Sequence, residues 1–343
     1  MECRSTPRTA IICTVKKDTP RWQQELASCT RQPETLFSLV AADDTPLAES
    51  IQQAHRSFPV RAPAAYIQRI HRDDPTDPLL LQVMPQPHEL LEHSEFVDDP
   101  VADRDAIKVE GVLHKYAGRV LLITTGACAI HCRYCFRRHF PYNESHIGGR
   151  RLRRALAYIE GDATIAEVIL SGGDPLTLDT RRLQTITDGL ATIAHIKRLR
   201  IHTRTPVVLP ARVDGELLDW LASIKMQKVM VLHVNHAREI DAEVEAVCRQ
   251  LRSSGLTLLN QAVLLKGIND SVECLAELSE RLFENGIIPY YLHRLDRVRG
   301  ASHFDVEDDI ARQLIAQLRR RLPGYLVPQL VTEQPASASK TPL

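Results

Sequence analysis

The sequence lacks a long apolar run, an excess of charge of one sign and a recognisable targeting segment. No stretch approaches the roughly 18 apolar residues of a membrane span, and the apolar run 10–13 is too short for a signal peptide. The 43 basic and 43 acidic residues balance, whereas nucleic-acid and membrane-surface binders usually carry a basic excess. These absences predict a cytoplasmic protein that binds neither nucleic acid nor membrane.

The composition excludes disorder across the whole chain. With 44% hydrophobic and 25% charged residues, the 343 residues are enough for one large domain or two ordinary ones. Five of the eight cysteines are scattered and are interpreted as buried or incidental thiols: Cys3, Cys13, Cys29, Cys248 and Cys274. The other three, Cys128, Cys132 and Cys135, fall within eight residues and need a separate explanation.

Six short aliphatic runs alternate with amphipathic stretches after Gly111. Such runs predict strands buried on both faces, as in a parallel sheet covered by helices. They span 119–125, 167–170, 199–203, 228–234, 257–265 and 287–293. Because six β-then-α units are fewer than the eight of a closed barrel, they predict an α/β fold with a partial, TIM-like (β/α)6 barrel over 106–331.

The two ends of the chain have a different character. Apolar spacings of three and four over 22–40, 46–58 and 62–70, interrupted by proline clusters, predict a helical N-terminal region over 1–105. The tail over 332–343 is rich in Pro, Ala, Ser and Thr, so its composition alone predicts an extended, unstructured terminus.

The three clustered cysteines follow the first predicted strand in the spacing C-x3-C-x2-C, with Tyr134 before the last. Loops at the carboxyl ends of strands are where α/β folds bind ligands. Three thiolates can hold three irons of a [4Fe–4S] cluster and leave the fourth iron open to a small chelating molecule. The alternative is a structural zinc ion, with His131 or His139 as its fourth ligand.

A second motif, the run Ser171, Gly172, Gly173 and Asp174, ends the second predicted strand. Glycines let a backbone approach a ligand closely, and an acidic side chain can accept a hydrogen bond from an ammonium group. By itself the motif is equally typical of a plain turn from strand to helix. Because it lies one strand after the cysteine triplet, the two motifs together are a much stronger signal than either alone.

Together the two motifs resemble those of the radical S-adenosylmethionine (SAM) superfamily, in which the open iron binds S-adenosyl-L-methionine. The resemblance implies that Ser171, Gly172, Gly173 and Asp174 contact this ligand. Over about residues 95–343 the resemblance narrows to the lysine 2,3-aminomutase family, which also carries pyridoxal 5'-phosphate. The segments that carry it are Lys115–Val120, Cys135–Arg138, Ile201–Pro210, His233–His236, Asn260–Asp270, Pro289–Asp296 and Ser339–Pro342.

The resemblance implies that residues near both ends of the barrel hold pyridoxal phosphate. Lys340 matches the family lysine that forms the Schiff base. The family has a glycine-rich run before this lysine, whereas residues 336–339 of this chain are Ala-Ser-Ala-Ser. Tyr116 matches an aromatic residue beside the cofactor, and Arg119 and Arg204 match arginines at its phosphate. A further family arginine is Lys115 here, which keeps the charge but loses the bidentate geometry.

Two histidines and three charged residues complete the expected site. His233 and His236 stand at the end of the fourth predicted strand, from which either can approach the cofactor ring. By resemblance, Arg137 grips the substrate carboxylate, and Asp296 and Glu333 surround a distal ammonium group. Two carboxylates in one pocket favour lysine over glutamate.

The resemblance therefore implies an isomerase that converts L-lysine to (R)-β-lysine by radical migration of the amino group. In length and in its N-terminal region, this sequence is most similar to the members of the subgroup that supplies β-lysine for the modification of translation elongation factor P. The expected partners are the substrate L-lysine and a small electron donor of the flavodoxin or ferredoxin type. The resemblance also implies a functional link to elongation factor P and its lysyl ligase, and it is compatible with an oligomer. The alternatives are a glutamate-type radical SAM aminomutase and a non-catalytic zinc or iron–sulfur protein.

Overall fold

The computed structural model describes residues 19–41, 48–142, 147–335 and 337–343, which leaves Cys3, Cys13 and Ala336 outside the described residues. Within these residues, one mixed sheet contains ten strands, which neighbour one another in sequence order. The strands are β1 (Ile107–Val109), β2 (Val112–Tyr116), β3 (Arg119–Thr125), β4 (Glu167–Gly172), β5 (Arg198–Thr203), β6 (Gln227–Leu232), β7 (Thr257–Val263), β8 (Ile287–His293), β9 (Gln329–Thr332) and β10 (Thr341–Pro342).

Helices precede the sheet and cover its strands. Before the sheet lie α1 (Arg21–Ala27), α2 (Pro33–Phe37), α3 (Glu49–Ser57), α4 (Ala64–Ile67) and α5 (Pro78–Leu81). Between and after the strands lie α6 (Arg150–Glu160), α7 (Thr180–Ala191), α8 (Thr205–Val208), α9 (Gly215–Ser223), α10 (Ala242–Ser253), α11 (Val272–Glu284) and α12 (Asp308–Arg321). None of the described helices is long and apolar enough to cross a membrane.

Consecutive strands from β3 to β9 pair in parallel. The six predicted strands correspond to β3 to β8, so the predicted α/β partial barrel is confirmed, and β9 adds a parallel strand that was not predicted. Because the strand order is linear, the barrel is open. Alternate side chains such as Val120 and Leu122 are buried against the helices, while the other face of each strand lines the interior.

The N-terminal helices pack into the same apolar core as the barrel, through residues such as Leu36 and Tyr66. The predicted segment 22–40 is two helices, because α1 ends at Ala27, Thr30 pairs with Ala62 in an isolated bridge, and Pro33 then begins α2. Since the core is shared, the boundary drawn at residue 105 stays a prediction.

The tail ends in a strand. Thr341 pairs with Thr332, so β10 runs antiparallel to β9 and returns the chain along the edge of the barrel. The prediction from composition, an unstructured terminus, was wrong for these residues, because backbone pairing to β9 supplies contacts that composition does not reveal. Lys340 comes directly before this strand.

Candidate active site

The cysteine loop follows β3 and is anchored by the N-terminal region. Cys135 donates its backbone N–H to the carbonyl of Cys132 at 3.0 Å, which makes a tight turn. Arg133 lies between these cysteines and is fully buried, and its Nε donates to Glu89 at 2.8 Å. A buried arginine with a carboxylate partner is costly to displace, so the helical region holds the loop in place.

The three cysteines fit a cluster with three protein ligands better than a zinc ion. The Nδ1 atom of His131 lies 2.8 Å from the Pro59 carbonyl, and the Nε2 atom of His139 lies 3.3 Å from the Arg299 carbonyl. Each ring keeps its other nitrogen for a metal, so the decisive observation is the spacing: among the described residues, neither histidine joins the three cysteine sulfurs in a group of potential ligand atoms that all lie within 4.8 Å of one another, as one zinc ion requires. Burial raises the pKa of the Cys135 thiol to about 11, so a bound metal must displace its proton.

The glycine motif lies directly against the cysteine loop. A Cβ atom at Gly172, whose φ is +128°, would lie 2.5 Å from the Thr125 carbonyl oxygen, and one at Gly173 would lie 2.3 Å from that of Ala127. Gly173 also donates its backbone N–H to Thr125 at 2.7 Å. Only glycine permits this approach, so the two motifs form one structural unit.

The side chain of Asp174 ties strand ends together. Its Oδ1 accepts from the Thr203 hydroxyl at 2.7 Å, and its Oδ2 accepts from the backbone N–H groups of Arg204 at 2.7 Å and Thr205 at 3.0 Å. The carboxylate is therefore occupied by the end of β5. Its role toward S-adenosylmethionine stays a prediction.

Lys340 reaches the barrel interior. Its Nζ lies 2.9 Å from Nε2 of His293, 3.9 Å from a Glu333 carboxylate oxygen and 5.2 Å from the ring centre of Tyr291. Burial lowers the pKa of Lys340, and the negative charges of Glu333 and Asp296 partly offset that effect. A lysine with a lowered pKa more readily provides the neutral amine that attacks a carbonyl group.

A chain of ion pairs joins the predicted substrate and cofactor residues. Lys115 Nζ lies 2.9 Å from Glu333 and 2.6 Å from Asp103. Asp103 also accepts from Arg137 Nε at 2.6 Å, and Arg137 Nη1 donates to the Ser171 hydroxyl at 3.3 Å. We refer to Arg137, Asp103, Lys115 and Glu333 as the ion chain. It connects the glycine motif to the tail.

Asp296 is a half-buried carboxyl group near the end of this ion chain. Burial raises its pKa to about 7, and the negative charge of Glu333 contributes in the same direction. The pKa of Tyr116 is raised by burial and by the nearby Glu333 carboxylate. The two predicted carboxylates are thus brought together beside the Lys340 amine, an alkylammonium group like the distal end of lysine.

Arg204 and His236 are not brought to Lys340. The guanidinium of Arg204 contacts Cys132 and Glu239 at 2.7 and 2.8 Å, which is at odds with the phosphate role predicted from the sequence. His236 Nδ1 accepts from the backbone N–H of Arg238. The Arg119 guanidinium carbon lies 4.6 Å from the ring centre of Tyr116. These two predicted cofactor residues are therefore neighbours.

The predicted residue His233 and two interior residues that the sequence did not single out, His202 and Arg200, complete the pocket. Burial lowers the pKa of His233 to about 3, and His233 Nε2 lies 2.8 Å from the Gln261 amide. Within the described structure, the buried Nε2 of His202 has no hydrogen-bond partner. Arg200, held by Glu167 at 2.6 Å, is close enough for its charge to lower the pKa of Lys340. Neutral rings, an orphaned nitrogen and nearby cations fit an aromatic cofactor that carries a phosphate.

The open parallel barrel, its three-cysteine loop and the adjoining glycine motif together define a radical SAM protein. No family model matches the chain. Among curated proteins, L-lysine 2,3-aminomutase of Escherichia coli (strain K12) is 43% identical over 94% of this chain and 94% of its own. That of Haemophilus influenzae is 42% identical over 98% of each chain. The chain belongs to the lysine 2,3-aminomutase family.

More distant relatives and solved structures are also similar. L-lysine 2,3-aminomutase of Clostridium subterminale is 35% identical over 86% of this chain and 71% of its own. A crystal structure of a radical SAM methyltransferase from Sphaerobacter thermophilus matches 66% of this chain and 71% of its own, with 19% identity and a TM-score of 0.47.

Proposed function

We propose that this protein is a lysine 2,3-aminomutase, an isomerase that converts L-lysine to (R)-β-lysine. The observation that carries the proposal is the position of Lys340, whose amine lies inside the barrel between His293 and the carboxylates of Glu333 and Asp296. One pocket thereby contains the Lys340 amine, which can react with the cofactor carbonyl, and two carboxylates, which can bind the distal ammonium group of the substrate. Membership of the lysine 2,3-aminomutase family supports the same activity.

Three cofactors fit the described residues. Cys128, Cys132 and Cys135 would hold the [4Fe–4S] cluster, and the motif Ser171–Asp174 would contact S-adenosylmethionine at its open iron. Lys340 would hold pyridoxal phosphate, with Arg119 and Arg200 as cations for the phosphate and Tyr116 beside the ring. When bound, these groups supply hydrogen abstraction and carry the migrating nitrogen.

The protein's own part is to bind, orient and enclose the substrate. Arg137 is held by Asp103 at 2.6 Å, so its planar guanidinium is preorganised for the substrate carboxylate. Asp296 and Glu333 would bind the distal ammonium group, which compensates their mutual repulsion. Glutamate would place a third carboxylate there, so the pocket disfavours the glutamate-type alternative.

Anaerobic turnover tests the proposed activity. Protein reconstituted with iron, sulfide and pyridoxal phosphate is incubated with isotopically labelled L-lysine, S-adenosylmethionine and dithionite. Chiral chromatography should then reveal (R)-β-lysine, and labelled L-glutamate under the same conditions should remain unchanged. Bound zinc without acid-labile sulfide, or turnover of glutamate in preference to lysine, would contradict the proposal.

We further propose that the protein acts in the cytoplasm, takes electrons from a small flavodoxin- or ferredoxin-type donor and supplies β-lysine for elongation factor P. This proposal is supported by the resemblance of the N-terminal region to the subgroup that supplies β-lysine for that factor. The test adds the reaction product to elongation factor P and its lysyl ligase. Intact-protein mass spectrometry should then register one lysyl addition with the product and much less with α-lysine.

A further inference from the structure

Arg204 makes its contacts at the cysteine loop. Its Nη1 donates to the sulfur of Cys132 at 2.7 Å and to the Tyr134 hydroxyl at 2.7 Å. Its Nη2 donates to Gln82 at 2.6 Å and to Glu239 at 2.8 Å. Contacts from the helical region, the cysteine loop and the loop after β6 thus converge on one guanidinium.

The contacts of Arg204 are fixed rather than adjustable. The side chain is only 5% exposed, and that of Glu239 is fully buried. Asn235 donates to both Tyr134 and Gln82, at 2.7 and 3.1 Å, which holds these neighbours in turn. A guanidinium enclosed in this way cannot swing to the cofactor phosphate without leaving Glu239 as an uncompensated buried charge.

We propose that Arg204 is a positioning residue for the iron–sulfur cluster: its charged hydrogen bond to the Cys132 sulfur sets the reduction potential of the cluster. The inference rests on the proposed cluster at the three cysteines. Hydrogen bonds to cluster sulfurs and the nearby net charge are principal determinants of such potentials.

The physical effect follows from the added electron. Reduction transfers one electron from an external donor to the cluster and makes the cluster and its thiolates more negative by one charge. A cation that donates to a ligating sulfur stabilises that reduced form and raises the potential. Glu239 acts in the opposite sense, because its carboxylate partly neutralises Arg204. The pair therefore sets the potential by a balance of two buried charges.

The test is an anaerobic redox titration, followed by electron paramagnetic resonance of the reduced cluster, on protein reconstituted with iron and sulfide. The variants are Arg204→Gln and Glu239→Gln. Arg212→Gln is the matched control, because Arg212 is equally buried but donates to the carbonyls of Leu176 and Leu178. Iron and sulfide analysis accompanies each titration.

We expect opposite shifts. At the midpoint of the parent protein, the ratio of reduced to oxidised cluster should fall about tenfold in Arg204→Gln, the scale of one hydrogen bond to a charged group. It should rise in Glu239→Gln and stay unchanged in Arg212→Gln. A role confined to folding would not move the potential in opposite directions.

Two results would overturn the inference: an unchanged potential in cluster-loaded Arg204→Gln, or shifts of the same sign in both variants. If Arg204→Gln does not retain the cluster, the Glu239→Gln titration decides, and an unchanged or lowered potential there overturns it. A parent protein that binds no cluster would refute the site assignment and the inference together. Normal cluster loading and turnover with no effect of either variant would refute the inference alone.

Discussion

The amine nitrogen of Lys340 lies 2.9 Å from Nε2 of His293. Burial lowers the pKa of His293 well below its ordinary value, so the imidazole is neutral and can accept a hydrogen bond from the amine. Tyr291, two residues earlier on the same face of β8, supplies an aromatic ring 5.2 Å from the nitrogen. The end of β8 therefore positions the residue on which the proposed activity depends.

Replacing His293 should slow cofactor loading. In His293→Phe the amine loses its acceptor, and we expect the rate of pyridoxal phosphate incorporation to fall about fivefold, as for one net hydrogen bond. His293→Asn, which retains an acceptor, should recover part of the rate. Absorbance of the bound cofactor after mixing with cofactor-free protein measures this, and equal rates in all three proteins would contradict the prediction.

Lys340→Ala should abolish covalent cofactor attachment while leaving the cluster in place. Borohydride reduction followed by peptide mapping should find the pyridoxyl adduct at Lys340 in the parent and at no specific site in the variant. Lys225→Ala, at an exposed lysine before β6, serves as the control and should label normally. A specific adduct that persists in Lys340→Ala would contradict the assignment.

Asp296 should make stability depend on pH. Its pKa, raised by burial to about 7, exceeds the ordinary value, so its contribution to stability is fully present below the unfolded-state pKa and is lost as pH rises through about 7. In protein free of cofactor and substrate, Asp296→Asn should therefore raise the melting temperature at pH 8 by about 2 °C or more. The gain should shrink at pH 5, and a gain that grows at low pH would contradict the assignment.

Asp103→Asn should weaken lysine binding. The substitution removes the negative charge between Arg137 and Lys115, so both cations lose their orientation. We expect the KM for lysine to rise about tenfold, the scale of a lost hydrogen bond to a charged group, with a smaller change in kcat. Asp105→Asn, at an exposed position two residues away, is the control, and equal effects of the two substitutions would contradict the prediction.

Gly173→Ala should displace the cysteine loop. The new methyl group would lie 2.3 Å from the backbone oxygen of Ala127, a distance that only movement of the backbone can relieve. We expect most of the reconstituted iron and sulfide to be lost, as measured by chemical analysis. Gly215→Ala, where a methyl group meets nothing within 4 Å, should bind iron as the parent does.

Local patterns were sufficient for much of the fold. The aliphatic runs predicted β3 to β8 because strands buried on both faces need continuous apolar residues. The short strand β9 was missed because Gln329–Thr332 carries too few residues to form a recognisable run. The helix predicted over 22–40 is interrupted where Thr30 pairs with Ala62, a contact that only the folded chain makes, and Pro33 then begins a second helix.

The site was predictable where a motif or a resemblance marked it. Asp103 was missed because its partners, Arg137 and Lys115, are joined only by the folded chain, and Lys115 meets Glu333 across 218 positions. His293 lies within a segment that carries the resemblance, but nothing local distinguishes it from a core histidine. The position of Arg204 depends on Gln82 and Glu239, which no spacing in the sequence connects.

The ion chain has a thermodynamic consequence. Glu333 belongs to the C-terminal tail, whereas Asp103 precedes the first strand. A ligand that contacts both ends of the ion chain therefore stabilises the packing of the tail against the barrel. By linkage, the free energy of binding then adds to the free energy that keeps the tail closed. Occupancy of the pocket should therefore protect the last residues of the tail from protease, because the tail and the barrel bind the ligand together.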